Sequence, residues 1–203
     1  MLRMSRQVGL GDNAPDFALA DTGGSVRTLD EFADAPALLV AFICNHCPFV
    51  LHIIDDFVEF ARDYAPRGLQ VVALSSNDPA EFPEDDFEHM ADFAAARGFT
   101  FPYLYDQTQD IALEYGAICT PDFFLYDQNR RLFYAGQYDS SRPVINRPPV
   151  PGLPPLRTDL PVTGTDLRQA VDRLLGGEPP PQPQLPSAGC SIKWRPGKDP
   201  SWA

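Results

Sequence analysis

The sequence predicts an α/β fold in which a central, mixed β-sheet is flanked by helices. Short β-rich runs alternate with stretches of helical periodicity, and this alternation is typical of layered α/β proteins. Two runs, LLVAFI (38–43) and LQVVAL (69–74), are continuously apolar, as strands buried on both faces are. With 203 residues, the chain can bury a sizeable core without disulfide bridges.

The elements follow in order along the chain. Residues 16–19 form a short strand candidate, and the Asp and Gly content of residues 21–24 indicates a turn. After Pro48, apolar residues recur with helical spacing while charged residues lie on the opposite side, so a helix follows the first buried strand. The remaining elements before the C-terminal region are predicted at 85–97 (a helix that Gly98 stops), 103–105 (strand), 108–115 (helix), and 122–126 and 132–138 (a hairpin around the turn DQNRR).

Proline marks the C-terminal region. Residues 140–161 are too rich in proline for a regular element, because each proline fixes φ and removes a hydrogen-bond donor. A helix is predicted at 165–175. We assign residues 1–177, including the proline-rich loop, to one domain, and residues 178–203 to a proline-rich tail that carries Cys190. An isoleucine and a tryptophan close to that cysteine suggest that the tail is anchored.

Charge and apolar run length exclude two classes of partner. The chain has 16 basic and 28 acidic residues, a net charge of −12, whereas phosphate-backbone binding needs clustered Lys and Arg. The longest apolar run, residues 35–44, is about half of the roughly 20 residues that a spanning helix needs. The first residues do not resemble a secretory signal. We therefore expect a cytoplasmic protein that binds neither nucleic acid nor membranes.

The segment AFICNHCPFV places Cys44 and Cys47 three positions apart, where a buried strand meets a helix. A cysteine at a helix N-terminus meets unsatisfied N–H groups and the positive end of the helix dipole, which favour the thiolate. His46 can add a charge or a hydrogen bond that lowers the thiol pKa further. Pro48 suits the first helical turn, where its missing N–H is not needed. The spacing therefore predicts a redox-active cysteine pair.

A zinc site is the main alternative for this motif. Tetrahedral zinc usually takes a second closely spaced pair of ligands, whereas Cys119 and Cys190 stand alone in the sequence. His52 and His89 lie in helical stretches without a companion ligand. We therefore expect no metal and no cofactor.

The segment AICTPDFF contains a Thr-Pro pair directly before an apolar strand. Cis peptide bonds are essentially confined to X-Pro, so the bond between Thr120 and Pro121 is a candidate cis bond. An ordinary trans turn that opens the strand is the alternative.

Together these segments resemble the thioredoxin superfamily and, within it, the redoxin and peroxiredoxin-like branch. The matching segments are GDNAPDFAL, VAFICNHCP, LQVVALSSND and ICTPDFFLYD, within residues 11–138. The segments TGTDLRQAVDRLLGGEP and PSAGCSIKW also resemble a peroxiredoxin-like (AhpC/TSA-like) subgroup. The resemblance implies a thioredoxin-like fold in which the turn at Thr120 and Pro121 faces the cysteine pair and pairs with a substrate strand.

The resemblance allows two assignments of roles. In the thioredoxin assignment, Cys44 is the exposed nucleophile, Cys47 resolves the mixed disulfide, and Thr120 and Pro121 position the partner. In the peroxiredoxin assignment, Cys47 is the peroxidatic cysteine and becomes a sulfenic acid, although Cys44 replaces the threonine of the family motif P-x-x-x-T-x-x-C. We expect a thiol–disulfide oxidoreductase with an antioxidant role, and keep a thiol-dependent peroxidase as the alternative.

Cys119 and Cys190 are candidate accessory thiols. Cys119 precedes Thr120, but cysteines of this kind are often small buried hydrophobes. For Cys190, two roles are open: an extra resolving thiol that the proline-rich arm brings to the pair, or an inert thiol in a structural wrap. The expected partners are a disulfide or peroxide substrate and a thiol reductant.

A non-enzymatic module is the alternative from another class. Copper-delivering thioredoxin-like proteins use C-x-x-x-C and a late histidine, whereas this chain has C-x-x-C and no histidine after His89. The stretches PPVPGLPP and PPPQPQLP fit ligands of partner modules, and they also fit rigid spacers.

Overall fold

The computed structural model describes residues 2–6, 8–145 and 158–202. The strands are β1 (Leu2–Met4), β2 (Ala18–Ala20), β3 (Val26–Thr28), β4 (Ala37–Phe42), β5 (Leu69–Ser75), β6 (Tyr103–Tyr105), β7 (Cys119–Thr120), β8 (Asp122–Asp127), β9 (Leu132–Gly136) and β10 (Ala188–Ser191). The helices are α1 (Pro48–Tyr64), α2 (Phe87–Arg97), α3 (Asp110–Tyr115) and α4 (Thr165–Leu175). Part of the predicted proline-rich loop, residues 146–157, lies outside the described residues.

The main sheet has five strands in the order β6-β5-β4-β8-β9. The central strand β4 is parallel to β5 and antiparallel to β8, so the sheet is mixed. This arrangement confirms the predicted α/β fold with a thioredoxin-like sheet between helices. Within the described ranges, no helix is long and apolar enough to cross a membrane.

Strand β4 separates two apolar layers. Its residues are fully buried, and alternate side chains enter opposite layers, with Leu39 and Ala41 on the side of α1 and Leu38 and Val40 on the other. This two-sided burial explains why the strand has no polar residue. On the α1 side, Phe57 contacts the rings of several buried aromatic residues. Burial of each such side chain contributes roughly 1.5–3 kcal/mol to the free energy of unfolding.

The N-terminal part differs from the prediction. The strand expected at 16–19 is β2, which starts at Ala18 and pairs with β3 in a two-stranded ribbon outside the main sheet. Asp21 forms the turn, because its Oδ1 accepts the backbone N–H groups of Gly23 and Ser25, each at 2.9 Å. The apolar residues of this segment predict a strand, but they do not indicate which sheet the strand joins.

Helix α2 begins after an N-capping aspartate and ends at a glycine. Asp86 is its N-cap and accepts the backbone N–H of His89 at 2.9 Å. The predicted helix 85–97 therefore starts two residues later. Gly98 ends it with a φ of +65°, as the sequence indicated, because glycine adopts the left-handed conformation without a steric cost.

A second, three-stranded sheet has the order β1-β10-β7, with β10 antiparallel to both neighbours. Strand β1 was not predicted from the sequence. The residues after β10 are anchored, because Ile192 and Trp194 are buried in the apolar layer that contains Leu38. The tail is therefore packed against the rest of the chain at β7, which directly precedes Pro121.

Candidate active site

The cysteine pair lies at the carboxyl end of the central strand. Cys44 follows β4, and Cys47 is the N-cap of α1, with extended backbone angles of −67° and 122°. Pro48 occupies the first turn of this 17-residue helix. Because Cys47 directly precedes the helix, its sulfur is close to N–H groups that lack an intrahelical acceptor.

Both sulfurs contact Thr120, which lies just before β8. The Thr120–Pro121 bond is cis, which confirms the conformation indicated by the sequence. The register of β4 and β8 pairs Phe42 with Asp122, so the residues before β8 lie beside the cysteine loop. Cys44 Sγ is 3.4 Å from Thr120 Oγ1, and the Cys47 thiol donates to the Thr120 carbonyl oxygen at 3.1 Å.

The surroundings of the two sulfurs shift the two thiol pKa values in opposite directions. Burial acts to raise the pKa of Cys47, but hydrogen bonds from Cys190, Cys44 and Thr120, and from the backbone N–H of Val50, hold that pKa well below its ordinary value. Burial and the adjacent Cys47 raise the pKa of Cys44 well above its ordinary value. Of the two thiols, Cys47 is therefore the one that its surroundings favour as the thiolate, and a second anion on Cys44 would be repelled by the first.

The expectation that Cys44 is exposed is wrong. Cys44 is 1% exposed and Cys47 is 0% exposed, and the two are not joined in a disulfide. The half-buried residues Asn45, His46 and Pro48 form the adjoining surface. These three residues are therefore the part of the C-x-x-C segment that solvent reaches.

His46 faces an acidic residue that sequence reasoning missed. Its Nδ1 is 2.6 Å from Oδ2 of Asp85, which is fully buried, and its ring stacks on Phe82 with centroids 4.7 Å apart. Asp85 also accepts the backbone N–H of Asn45 at 2.8 Å and the amide of Asn77 at 2.7 Å. The ion pair with Asp85 raises the pKa of His46.

The largest contributions that lower the pKa of Cys47 come from groups other than His46. The groups that lower it are the neighbouring thiols, Thr120 and the helix N–H of Val50. Asp85 escaped detection because it lies 39 positions from His46, after β5, and one of three consecutive acidic residues in the run PEDD carries no local signal. Cys44, His46 and Asp85 offer ligand atoms within 4.8 Å of one another, so these three residues could hold a metal ion.

We expect Asp85→Asn to lower the pKa of His46, because the amide no longer stabilises the imidazolium. A pH titration of the imidazole signals by NMR measures this shift. The matched control is Asp86→Asn, since Asp86 holds the exposed His89 at 2.8 Å and raises its pKa. That control should lower the pKa of His89 and leave His46 unchanged. An unchanged His46 pKa in Asp85→Asn would contradict the ion pair.

The two accessory cysteines have different positions. Cys190 is the register partner of Thr120 and hydrogen bonds to Cys47, so it belongs to the site. Cys119 is fully buried, with its sulfur 3.8 Å from the carbonyl oxygen of Pro121 and 4.0 Å from Ser5 Oγ. Burial raises the pKa of Cys119 well above its ordinary value, as for a structural thiol.

The other histidines lie outside the site. Nε2 of His52 is 3.0 Å from Ser141 Oγ, and His89 pairs with Asp86 at the surface. The fold therefore brings together five of the sequence-predicted residues, with Cys190 beside them: Cys44, His46, Cys47, Thr120 and Pro121.

Comparison with solved structures supports the fold along the whole chain. A hypothetical protein from Sinorhizobium meliloti 1021 is 49% identical, and the two superpose with a TM-score of 0.88 over 96% of this chain and 99% of that one.

Curated relatives connect the chain to redox proteins. The thiol-disulfide oxidoreductase ResA of Geobacillus thermodenitrificans is 25% identical over 127 residues, 62% of this chain and 67% of that protein. Peroxiredoxin-6 of Bos taurus is 26% identical over 115 residues, 54% of this chain and 50% of that protein. The matches thus span between half and two-thirds of these relatives, and their names support a redox role in general. Residues 10–150 match the family model described as Redoxin, and because this match covers more than half of the chain, the protein belongs to the Redoxin family of the thioredoxin superfamily.

Proposed function

We propose that the protein is a thiol–disulfide oxidoreductase that cycles Cys44 and Cys47 between the dithiol and the disulfide. The observation that carries the proposal is the convergence of both sulfurs on Thr120, at 3.4 Å and 3.1 Å. The lowered pKa of Cys47 favours this cysteine as the attacking thiolate. The thiolate, not the thiol, attacks a disulfide sulfur. The order of attack therefore starts at Cys47, not at Cys44 as in the thioredoxin assignment.

The cycle needs no cofactor. The Cys47 thiolate attacks one sulfur of the substrate disulfide, which forms a mixed disulfide and releases the other sulfur as a thiolate. Cys44 then loses its proton and attacks Cys47 Sγ, which forms the Cys44–Cys47 disulfide and releases the second substrate thiol. A thiol reductant restores the dithiol. Thr120 and Pro121 hold the two sulfurs in position in this proposal, and Asp85 holds His46 beside them. The strand pairing with a substrate that the resemblance implied at Thr120 is not available, because β10 pairs there.

Thiol-dependent peroxide reduction is a second candidate, favoured by the thiolate on Cys47. The thiolate attacks a peroxide oxygen, so the O–O bond breaks, an alcohol or water leaves, and Cys47 becomes a sulfenic acid. Cys44 then forms a disulfide with Cys47 and water leaves. The hydroxyl that the family motif has at position 44 is replaced by a thiol, but Thr120 places a hydroxyl 3.4 Å from that sulfur.

One experiment tests both candidates. Reduced protein is mixed with one equivalent of oxidised glutathione or of hydrogen peroxide, quenched in acid, alkylated and mapped by mass spectrometry. We expect a Cys44–Cys47 disulfide with at least one oxidant, and the faster oxidant identifies the substrate class. A Cys119→Ser variant is the matched control and should react like the wild type. Absence of the Cys44–Cys47 linkage with both oxidants would contradict the proposed function.

We also propose a cytoplasmic location, an antioxidant role, and a division of the chain into a domain and a tail. A reducing cytoplasm would keep the pair in the dithiol form between turnovers, and an antioxidant role would follow from peroxide consumption. Cell fractionation, and the peroxide sensitivity of cells without this protein, test these two points. Limited proteolysis between residues 178 and 187 tests the proposed division between the domain 1–177 and the tail 178–203.

A further inference from the structure

Strand β10 occupies the edge of β7 next to the cysteine pair. Cys190 pairs with Thr120 and Ser191 pairs with Cys119, while the other edge of β10 is covered by β1 through the pairing of Leu2 with Cys190. An unpaired strand edge is where an extended partner chain docks through its backbone. Here that edge is already taken by a segment of the same chain.

Gly189 allows β10 to approach Thr120 unusually closely. A Cβ atom at position 189 would lie 2.1 Å from the Thr120 carbonyl oxygen and 2.7 Å from its carbon. Only glycine fits at such a distance. The same carbonyl oxygen is 3.1 Å from Cys47 Sγ, so β10 crosses directly beside the reactive sulfur.

The ends of β10 are held on both sides. Before the strand, Ser187 Oγ donates to the carbonyl oxygen of Gly136 at 2.8 Å. After it, the backbone N–H of Lys193 donates to Asn77 Oδ1, and the N–H of Asp78 donates to the Lys193 carbonyl, both at 2.8 Å. These contacts keep Cys190, which is 5% exposed, in hydrogen-bond contact with Cys47.

We propose that Cys190 is a third redox-active thiol, which captures oxidised Cys47 as a Cys47–Cys190 disulfide and thereby fixes β10 across the site. The proposal rests on the proposed function, because that cycle supplies the oxidised Cys47. It also identifies the substrate class as small disulfides or hydroperoxides, since β10 holds the edge on which an extended protein substrate would pair.

Atoms and electrons balance in the capture step for both oxidised forms of Cys47, the disulfide and the sulfenic acid. From the Cys44–Cys47 disulfide, the Cys190 thiolate attacks Cys47 Sγ, the Cys47–Cys190 bond forms, and the electron pair of the broken bond goes to Cys44 Sγ. Cys44 takes up the proton that Cys190 released, so the step is an isomerisation without a further oxidant. From a Cys47 sulfenic acid, the Cys190 thiol displaces the hydroxyl group, which leaves as water.

The Cys44→Ser variant isolates this step. Reduced Cys44→Ser is treated with one equivalent of hydrogen peroxide in the presence of dimedone, which traps sulfenic acids, and its disulfides are mapped by mass spectrometry. We expect a Cys47–Cys190 disulfide and about tenfold less dimedone on Cys47 than in the double variant Cys44→Ser/Cys190→Ser, where no resolving thiol is left. The matched control, Cys44→Ser/Cys119→Ser, should still form the Cys47–Cys190 disulfide.

Equal dimedone labelling of Cys47 with and without Cys190, or a Cys47–Cys119 linkage in its place, overturns the proposal. The Cys190→Ser variant separates this failure from failure of the proposed function, because it retains Cys44 and Cys47 and forms their disulfide if the proposed cycle is right, whereas position 190 can no longer capture Cys47. Near-ultraviolet circular dichroism verifies that each variant is folded before oxidation.

A second variant tests the geometry without removing a sulfur. Gly189→Ala, combined with Cys44→Ser, pushes β10 away from Thr120 and is expected to lower the yield of the Cys47–Cys190 disulfide while dimedone labelling rises. An unchanged yield in this variant would show that the close approach of β10 is not what brings Cys190 to Cys47, and would overturn that part of the proposal.

Discussion

Cys47→Ser is expected to slow oxidation of the protein by a small disulfide or by peroxide by more than about a hundredfold, because a serine hydroxyl does not replace a thiolate as the nucleophile. The hydrogen bonds that lower the pKa of Cys47 leave Cys44 as the protonated partner. Stopped-flow measurement of intrinsic fluorescence or of thiol loss gives the rate constants.

The matched variant Cys44→Ser should keep the first step close to the wild-type rate, because Cys47 and its helix N-terminus are intact. The pH dependence gives a second readout, since the rate in Cys44→Ser should follow deprotonation of a thiol with a lowered pKa. If Cys44→Ser loses the first step and Cys47→Ser retains it, Cys44 is the attacking sulfur and the assignment made here is wrong.

Asp122→Asn is expected to remove a large pH dependence of stability. Burial raises the pKa of Asp122 to about 7, and Ser5 Oγ donates to its Oδ1 at 2.5 Å. Because the folded pKa is higher than the unfolded one, the folded state binds the extra proton between pH ~4 and ~7. The wild-type free energy of unfolding should therefore fall across that window, by up to about 4 kcal/mol relative to Asp122→Asn, and the difference should level off at higher pH.

Urea denaturation of both proteins between pH 4.5 and 8 measures this difference. The control is Asp34→Asn, which replaces a carboxyl group by an amide at an exposed position. Asp139 contributes to the pH dependence of stability in the opposite direction. Burial acts to raise its pKa, but hydrogen bonds to its carboxylate outweigh burial and lower the pKa. For this reason the informative quantity is the difference between variants. A constant difference across the range would show that Asp122 is not protonated preferentially in the folded state.

Local patterns in the sequence determined the central layers of the fold. The apolar run 38–43 predicted a strand buried on both faces, and β4 spans Ala37–Phe42. The C-x-x-C lies at the predicted junction of strand and helix, and the Thr-Pro pair is cis. These features depend on neighbouring residues and backbone preferences, which is why one sequence was enough to find them.

Only the tertiary structure decided how the site is assembled. The pairing of β10 with β7 and the contact of Asp85 with His46 join residues that lie 39 or more positions apart in the chain. The burial of Cys44 likewise depends on how distant segments pack around it. A strand of three or four residues such as β1 or β10 carries too little periodicity to be recognised alone. The charge on a coupled thiol pair also depends on burial and on distances to other groups, so the helix dipole alone could not assign the thiolate to Cys47.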